Sequence, residues 1–447
     1  MTGHRILRTV RSLLALLLLL PLSGAAAATD PAVAALDAMA RDAIARKLAP
    51  AVALGVARQG KIVFARVYGT ADLENGVAAK PESVFPIASV SKTFTSAAVL
   101  QLVQSGAIGL DDDIGKYLPD FPQRGKGVTV RRLLDHTAGV HNITSVASYW
   151  PQVGRQIEPA ELAAFFRDLP LDFEPGTSYA YSNSGYILLG QIIEKASGLP
   201  YPEYLRTRLF TPLGMSRTSY CGGGALVPNR VRGYVPEGDG FVNARAVDMS
   251  QGYAAGGVCS TLGDLLTWQA ALHGGKVLDA ARYALLVTPH GTSPHGLGVA
   301  NGVHGEHPVL FHYGSIDGFE AAAAEYPQDG LSIVVLANAS GDAATELETR
   351  AAKAILQIAD PAAQPLDDPA RYAGTYRHKR GFAITLAAGD HGLTLQFPGG
   401  DPAPLTYLGD DAFAMAGSVD VLHVKQGTLR ITHYGVTTIE AEKERLP

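Results

Sequence analysis

Ser89 and Lys92 lie three residues apart in Phe85-Pro86-Ile87-Ala88-Ser89-Val90-Ser91-Lys92-Thr93-Phe94, at the head of an apolar run that reaches about Ser105 and stops at Gly106. On a helix this spacing puts both side chains on one face, one turn apart. A serine hydroxyl is a poor nucleophile at neutral pH and needs a neighbour to take its proton. A lysine amine can be that neighbour when burial or nearby charge lowers its pKa. A serine at a helix start also meets outward-pointing backbone N–H groups, which favour developing negative charge. By itself the tetrapeptide also fits a surface lysine beside a helix-capping serine.

Other polar residues need the same weighing. Tyr181-Ser182-Asn183 falls in a loop just ahead of a strong helical period that begins near Ser184 and stops at Gly198. Such loops present polar groups into clefts; taken alone, Tyr181 reads as core and Asn183 as a helix cap. His136 ends a short helix within Val128–Val140. It could be a general base, but a histidine satisfying backbone carbonyls at a helix end is the preferred reading. Five histidines between His290 and His312 lack the i, i+4 pairing of a zinc helix and read as loop and strand residues. Asp111-Asp112-Asp113 lacks the spaced ligands of a calcium loop and reads as a solvated turn and cap. Cys221 and Cys259 are in no metal spacing; they could pair in an oxidising compartment or stay apart as small buried residues. The sequence contains no G-x-S-x-G, phosphate loop or dinucleotide fingerprint. No metal and no cofactor is called for.

The elements that must position these residues follow from the chain as a whole. Its 447 residues carry a formal charge of −5 with no basic runs, so nucleic-acid and anionic-membrane binding are not suggested. A basic start, an apolar run and Ser23-Gly24-Ala25-Ala26-Ala27-Ala28 predict a cleaved leader over residues 1–28. No cysteine follows Leu22-Ser23-Gly24 and no twin arginine precedes it. The expectation is export to a bacterial periplasm or the medium, with no membrane anchor after cleavage. Asp30–Lys47 then reads as an amphipathic helix capped by Asp30, and Ala51–Arg58 with Lys61–Tyr68 as a hairpin through Gln59-Gly60. Glu158–Leu169 has a helical period, and another helix runs to Leu272. Strands Val309–Ser315, Ala321–Tyr326 and Leu331–Asn338 are joined by turn residues, so antiparallel pairing is expected, covered by a helix over Asp342–Ile358. A Pro-rich linker, Asp360–Pro365, leads to five short β runs between Phe382 and His433. These predict a small all-β barrel or sandwich with no readable chemistry of its own. The division expected is a main domain over 29–360 and a β domain over 361–447.

Three segments stand in order: Ser89-Val90-Ser91-Lys92, Tyr181-Ser182-Asn183 and His312-Tyr313-Gly314. With Leu134–Gly139, Glu174-Pro175-Gly176, Tyr181–Tyr186 and Val334–Asn338, they resemble the penicillin-recognising serine hydrolases. These comprise class C β-lactamases, low-molecular-weight penicillin-binding proteins, D-amino-acid peptidases and β-lactamase-like esterases. The resemblance covers most of Ala35–Ile358. It implies an α/β (α+β) fold, an antiparallel sheet flanked by helices with a helical insertion, and a lipocalin-like C-terminal barrel. It also implies Ser89 as the acylated nucleophile, Lys92 as its activator and Tyr181 as partner base, a phenolate held by nearby cations. Asn183 would contact the substrate amide, and His312 would replace the usual lysine of the third motif. Gly314 and Ser315 complete the site, the backbone N–H groups of Ser89 and Ser315 matching the oxyanion positions. Tyr313 replaces a small hydroxyl residue, which is expected to narrow the cleft or redirect specificity. The implied substrate is a small molecule or peptide, cell-wall fragments included. Ester, amide or peptide hydrolysis is favoured, with a class C-like β-lactamase or a penicillin-binding sensor that acylates without turnover as the alternatives.

Overall fold

The computed structural model describes residues 31–378, 381–389, 392–415 and 418–444. The expected leader and the Asp30 cap lie outside them. A seven-stranded antiparallel sheet runs in the order Val77–Ala78, Lys61–Asp72, Ala51–Arg58, Leu331–Ala337, Phe319–Tyr326, His307–Ile316, Ala300–His304. Its three central strands, Ala51–Arg58, Leu331–Ala337 and Phe319–Tyr326, are buried along nearly their whole length. Ala51–Arg58 and Leu331–Ala337 read as near-continuous apolar runs because both faces are covered, and Phe319–Tyr326 buries Glu320 and Glu325 as well. Successive residues serve opposite cores: Leu54, Val56, Ile333 and Val335 pack under the helices Pro31–Ala45 and Ala343–Leu356, while Ala53, Ala57, Val334 and Leu336 face the helical body. Gly55 lets the helix Leu262–His273 lie on the sheet; a Cβ there would stand 2.7 Å from Leu266. The hairpin at Gln59-Gly60 has both residues left-handed, at φ 48° and 72°, the geometry of a tight two-residue turn.

Two expected bounds move. The helix expected over Glu158–Leu169 is only Pro159–Ala164, the chain breaking into turns before Pro170, whose ring disfavours helical backbone at Leu169. The edge strand Ala300–His304 was not expected, because Asn301 and Gly302 give it little strand character. Beyond the linker the chain forms a closed eight-stranded barrel. Three of its strands, Gly374–His378, Ala412–Met415 and Val436–Lys443, were not foreseen, being short or mostly polar. Tyr376, Ile384, Leu386, Phe413, Leu422 and Leu429 fill the interior, so the barrel is a packed core.

Cys221 and Cys259 are joined as a disulfide across 38 positions of sequence. Cys259 sits in the strand Val258–Ser260, which pairs with Phe85–Pro86 just ahead of Ser89. The bond therefore anchors the segment that feeds the nucleophile. Replacing both cysteines by alanine is expected to cost about 2–4 kcal/mol, by the loop-closure entropy such a crosslink removes from the unfolded chain. Thermal melting with and without reductant checks this; equal Tm values would show that the crosslink contributes nothing.

Candidate active site

The nucleophile turn is built by packing. Ala88–Val90 forms one 3₁₀ turn that passes directly into the helix Ser91–Gln104. Polar side chains in that buried helix find partners on the neighbouring segment. Val258 N–H donates to Ser91 Oγ (3.1 Å), Thr95 Oγ1 to Ala254 O (2.7 Å), and Trp268 Nε1 to Thr93 Oγ1 (3.0 Å). Ile87 N–H donates to Val258 O (3.0 Å). Ala88, immediately before the nucleophile, is held at φ 45°, a left-handed conformation that a non-glycine residue keeps only when its surroundings enforce it. Gly314 allows that enforcement: a Cβ there would lie 2.2 Å from Ile87 O and 3.0 Å from Ser89 N. The strand His307–Ile316 can thus lie directly against the Ser89 turn. Its outer neighbour pairs only as far as Phe311, which leaves the edge from His312 to Ile316 open toward the nucleophile.

Lys92 is fully buried, at 0 % exposure. Its Nζ lies 3.1 Å from Ser89 Oγ, 2.8 Å from Asn183 Oδ1 and 2.7 Å from Ala255 O. Burial pushes the amine well below the usual lysine range. A free amine has two N–H bonds and one lone pair. Asn183 Oδ1 and the Ala255 carbonyl can only accept, so they take the two N–H bonds. In the free-amine state the lone pair is left for the third direction, toward the Ser89 hydroxyl; in the ammonium state Nζ donates to Ser89 Oγ instead.

The second segment is placed by His136 and Asn142. The His136 carbonyl accepts from Ala180 N–H (3.1 Å) and its Nδ1 from Ser182 N–H (3.2 Å). Asn142 Oδ1 accepts from Asn183 N–H (3.1 Å). His136 is therefore a structural histidine, but it receives amide protons and does not satisfy carbonyls. Ser182, not Asn183, caps the helix Asn183–Ser197 by accepting from Gly185 N–H. Asn183 is free of that duty and reaches Lys92. Tyr181 interacts with the Ser89 hydroxyl, and burial pushes its phenol upward. Lys92 Nζ lies over the Tyr181 ring, 4.9 Å from its centroid. Burial outweighs the Ser89 hydrogen bond and favours the protonated phenol over the phenolate that the resemblance implied.

The third segment alternates as a strand must. His312 faces the site, its ring centroid 6.4 Å from that of Tyr181. Burial, with Lys92 nearby, lowers its pKa to about 3, so it is neutral. Its Nδ1 lies 2.8 Å from Tyr313 O; a carbonyl only accepts, so Nδ1 carries the hydrogen and Nε2 presents a lone pair. Tyr313 points to the other face and hydrogen-bonds Glu348 (2.9 Å). Its hydroxyl is taken up by that carboxyl, and the residue still lines the cavity that His312 faces. Two residues near the site were not anticipated. Tyr179 OH and His295 Nε2 are 3.1 Å apart, and the His295 ring is 6.4 Å from both Tyr181 and His312. Burial lowers the His295 pKa to about 4. Only the tyrosine two positions before Tyr181 offered a signal in the sequence. Tyr179, Tyr181, His295 and His312 line a cavity of about 870 Å³ whose far wall comes from the barrel, including Phe382 and Val436–Ile439.

With this geometry in view, the comparisons are decisive. A family model described as Beta-lactamase matches residues 36–357. The chain belongs to the Beta-lactamase family. It is similar to a putative penicillin-binding protein, PbpX, of Bacillus subtilis, with 30% identity over 63% of this chain and 68% of that protein. It is similar to a D-aminopeptidase of Brucella anthropi, with 29% identity over 66% of this chain and 57% of that one. Among solved structures it resembles a D-amino acid amidase from Ochrobactrum anthropi, with a TM-score of 0.66 and 26% identity over 73% of this chain and 99% of that chain. Membership of the Beta-lactamase family, with peptidase and amidase relatives, makes the protein a serine hydrolase.

Proposed function

We propose that this protein is an exported hydrolase that cleaves esters and D-amino-acid amides or peptides through an acyl group on Ser89. The observation that carries the reading is the hydroxyl of Ser89 beside a buried lysine whose two other partners are both acceptors. Lys92 takes the Ser89 proton as Oγ attacks the carbonyl carbon. The oxyanion forms against the backbone N–H groups of Ser89 and Ser315. Tyr181, still protonated, gives its hydrogen to the leaving oxygen or nitrogen and is recharged from Lys92. Water then hydrolyses the acyl-enzyme by the reverse proton path. Asn183 holds Lys92 through Oδ1, and its Nδ2 is the donor for a substrate carbonyl. Export is supported by the disulfide, since such bonds persist in oxidising compartments.

A substrate panel tests the reading: p-nitrophenyl acetate, a D-amino-acid amide, a D-Ala-D-Ala peptide and a chromogenic cephalosporin. The expected result is steady turnover of the ester and the amide, at higher kcat/KM than the two carboxylate-bearing substrates. A single stoichiometric burst with every substrate would instead make the protein an acylated sensor.

A further inference from the structure

Glu348 is a fully buried carboxyl outside the site just described, at 0 % exposure in the helix Ala343–Leu356. Three tyrosine hydroxyls donate to it. Tyr313 reaches Oε2 at 2.9 Å, Tyr326 reaches Oε1 at 3.0 Å and Tyr434 reaches Oε2 at 2.6 Å. A buried carboxyl is costly unless its lone pairs are taken up in this way. The origins of the three donors matter more than their number. Tyr313 follows His312 on the strand that lies against Ser89. Tyr326 belongs to the adjacent strand. Tyr434 belongs to the barrel, in the turn between the strands Thr428–His433 and Val436–Lys443.

The same turn is seated on the catalytic sheet by further contacts. Val303 N–H donates to Tyr434 O at 2.9 Å. A Cβ on Gly302 would lie 2.5 Å from that oxygen, so glycine permits the close approach. The His433 ring stands edge-on to Tyr313 at 5.0 Å, and the Tyr434 ring edge-on to Phe311 at 5.3 Å. The strand leaving this turn supplies Val436, Thr437, Thr438 and Ile439 to the cavity that Tyr181 and His312 line from the other side.

We propose that Glu348 and Tyr434 are positioning residues for the substrate cleft, fixing the barrel wall of the cavity relative to the His312 strand through one shared carboxyl group. This rests on Ser89 being the acylated residue of that cleft. The barrel thereby acts as a specificity element: extended substrates, which reach its wall, depend on the seat, and small ones do not.

The test compares p-nitrophenyl acetate with two extended substrates, p-nitrophenyl octanoate on the acyl side and a D-amino-acid dipeptide on the leaving-group side. Tyr434→Phe removes one hydroxyl and keeps the ring. It is expected to raise KM for at least one extended substrate, lowering its kcat/KM relative to the acetate roughly tenfold, the effect of one buried hydrogen bond. Glu348→Gln keeps the volume but offers one acceptor oxygen in place of two, and should act in the same direction. Phe413→Leu, in the barrel core and away from the seat, should lower Tm and leave that ratio unchanged. The proposal is overturned if Tyr434→Phe changes Tm alone, or if Phe413→Leu lowers the ratio as much. Failure of a serine-reactive phosphonate to label wild-type Ser89 would instead remove the underlying reading of the site.

Discussion

Lys92→Ala is expected to slow acylation of Ser89 by roughly two to four powers of ten, the usual loss when a positioned general base is removed. Lys92 Nζ is 3.1 Å from the hydroxyl it must deprotonate, and its burial keeps the amine available as a base well below the ordinary lysine range. Tyr181→Phe is expected to lose a comparable factor, because in the proposed mechanism the phenol passes the proton to the leaving group. The double variant should lose far less than the product of the two factors, since residues that pass one proton act as a unit. Burst-phase rates with p-nitrophenyl acetate measure all three, and multiplicative losses would mean two separate proton paths. The pH dependence has a definite sign. Protonated Lys92 cannot accept the serine proton, so acylation rises with pH through the depressed lysine pKa and is level above it. That limb should vanish in Lys92→Ala. A wild-type limb at the ordinary lysine value of 10.5 would show a lysine that burial does not perturb.

His312→Lys is expected to raise kcat/KM for a cephalosporin or a D-Ala-D-Ala peptide, relative to an aryl ester, by roughly 10–150-fold. That is the ratio equivalent to one charge-assisted hydrogen bond of about 1.5–3 kcal/mol. The wild-type histidine offers a carboxylate nothing: its Nδ1 hydrogen is committed to Tyr313 O, and burial holds it neutral with a pKa near 3. The Nε2 lone pair instead suits a substrate N–H or ammonium, as a D-amino-acid amide provides. Tyr313 should be left intact in this experiment, because its hydroxyl belongs to the Glu348 cluster. A wild-type enzyme that already prefers the cephalosporin would overturn this account of specificity.

What the sequence disclosed was local. Ser89 and Lys92 could be read together because three residues on a helix is a fixed geometry, and the sheet strands because both their faces are buried. The lysine's remaining partners were out of reach: Ala255 O comes from 163 positions away and Asn183 from 91. The placement of Tyr313 was legible in principle. Strand alternation turns its hydroxyl away from His312 toward Glu348, while the residue still lines the cavity wall. The phenolate implied for Tyr181 is opposed by burial. Charge proximity can be inferred from motifs, whereas desolvation depends on how completely the site is enclosed. The barrel's contribution was invisible because Val436–Lys443 is mostly polar and exposed, with only Val436 and Ala441 buried, and nothing in that pattern says which surface it meets.

The central claim is that one serine, Ser89, carries the acyl group. Titration with a serine-reactive phosphonate, followed by peptide mass mapping, tests it most directly. The account predicts one phosphonyl group per chain, located on the peptide containing Ser89, with labelling and ester turnover both lost in Ser89→Ala. Label that persists in Ser89→Ala and maps to another residue would contradict it.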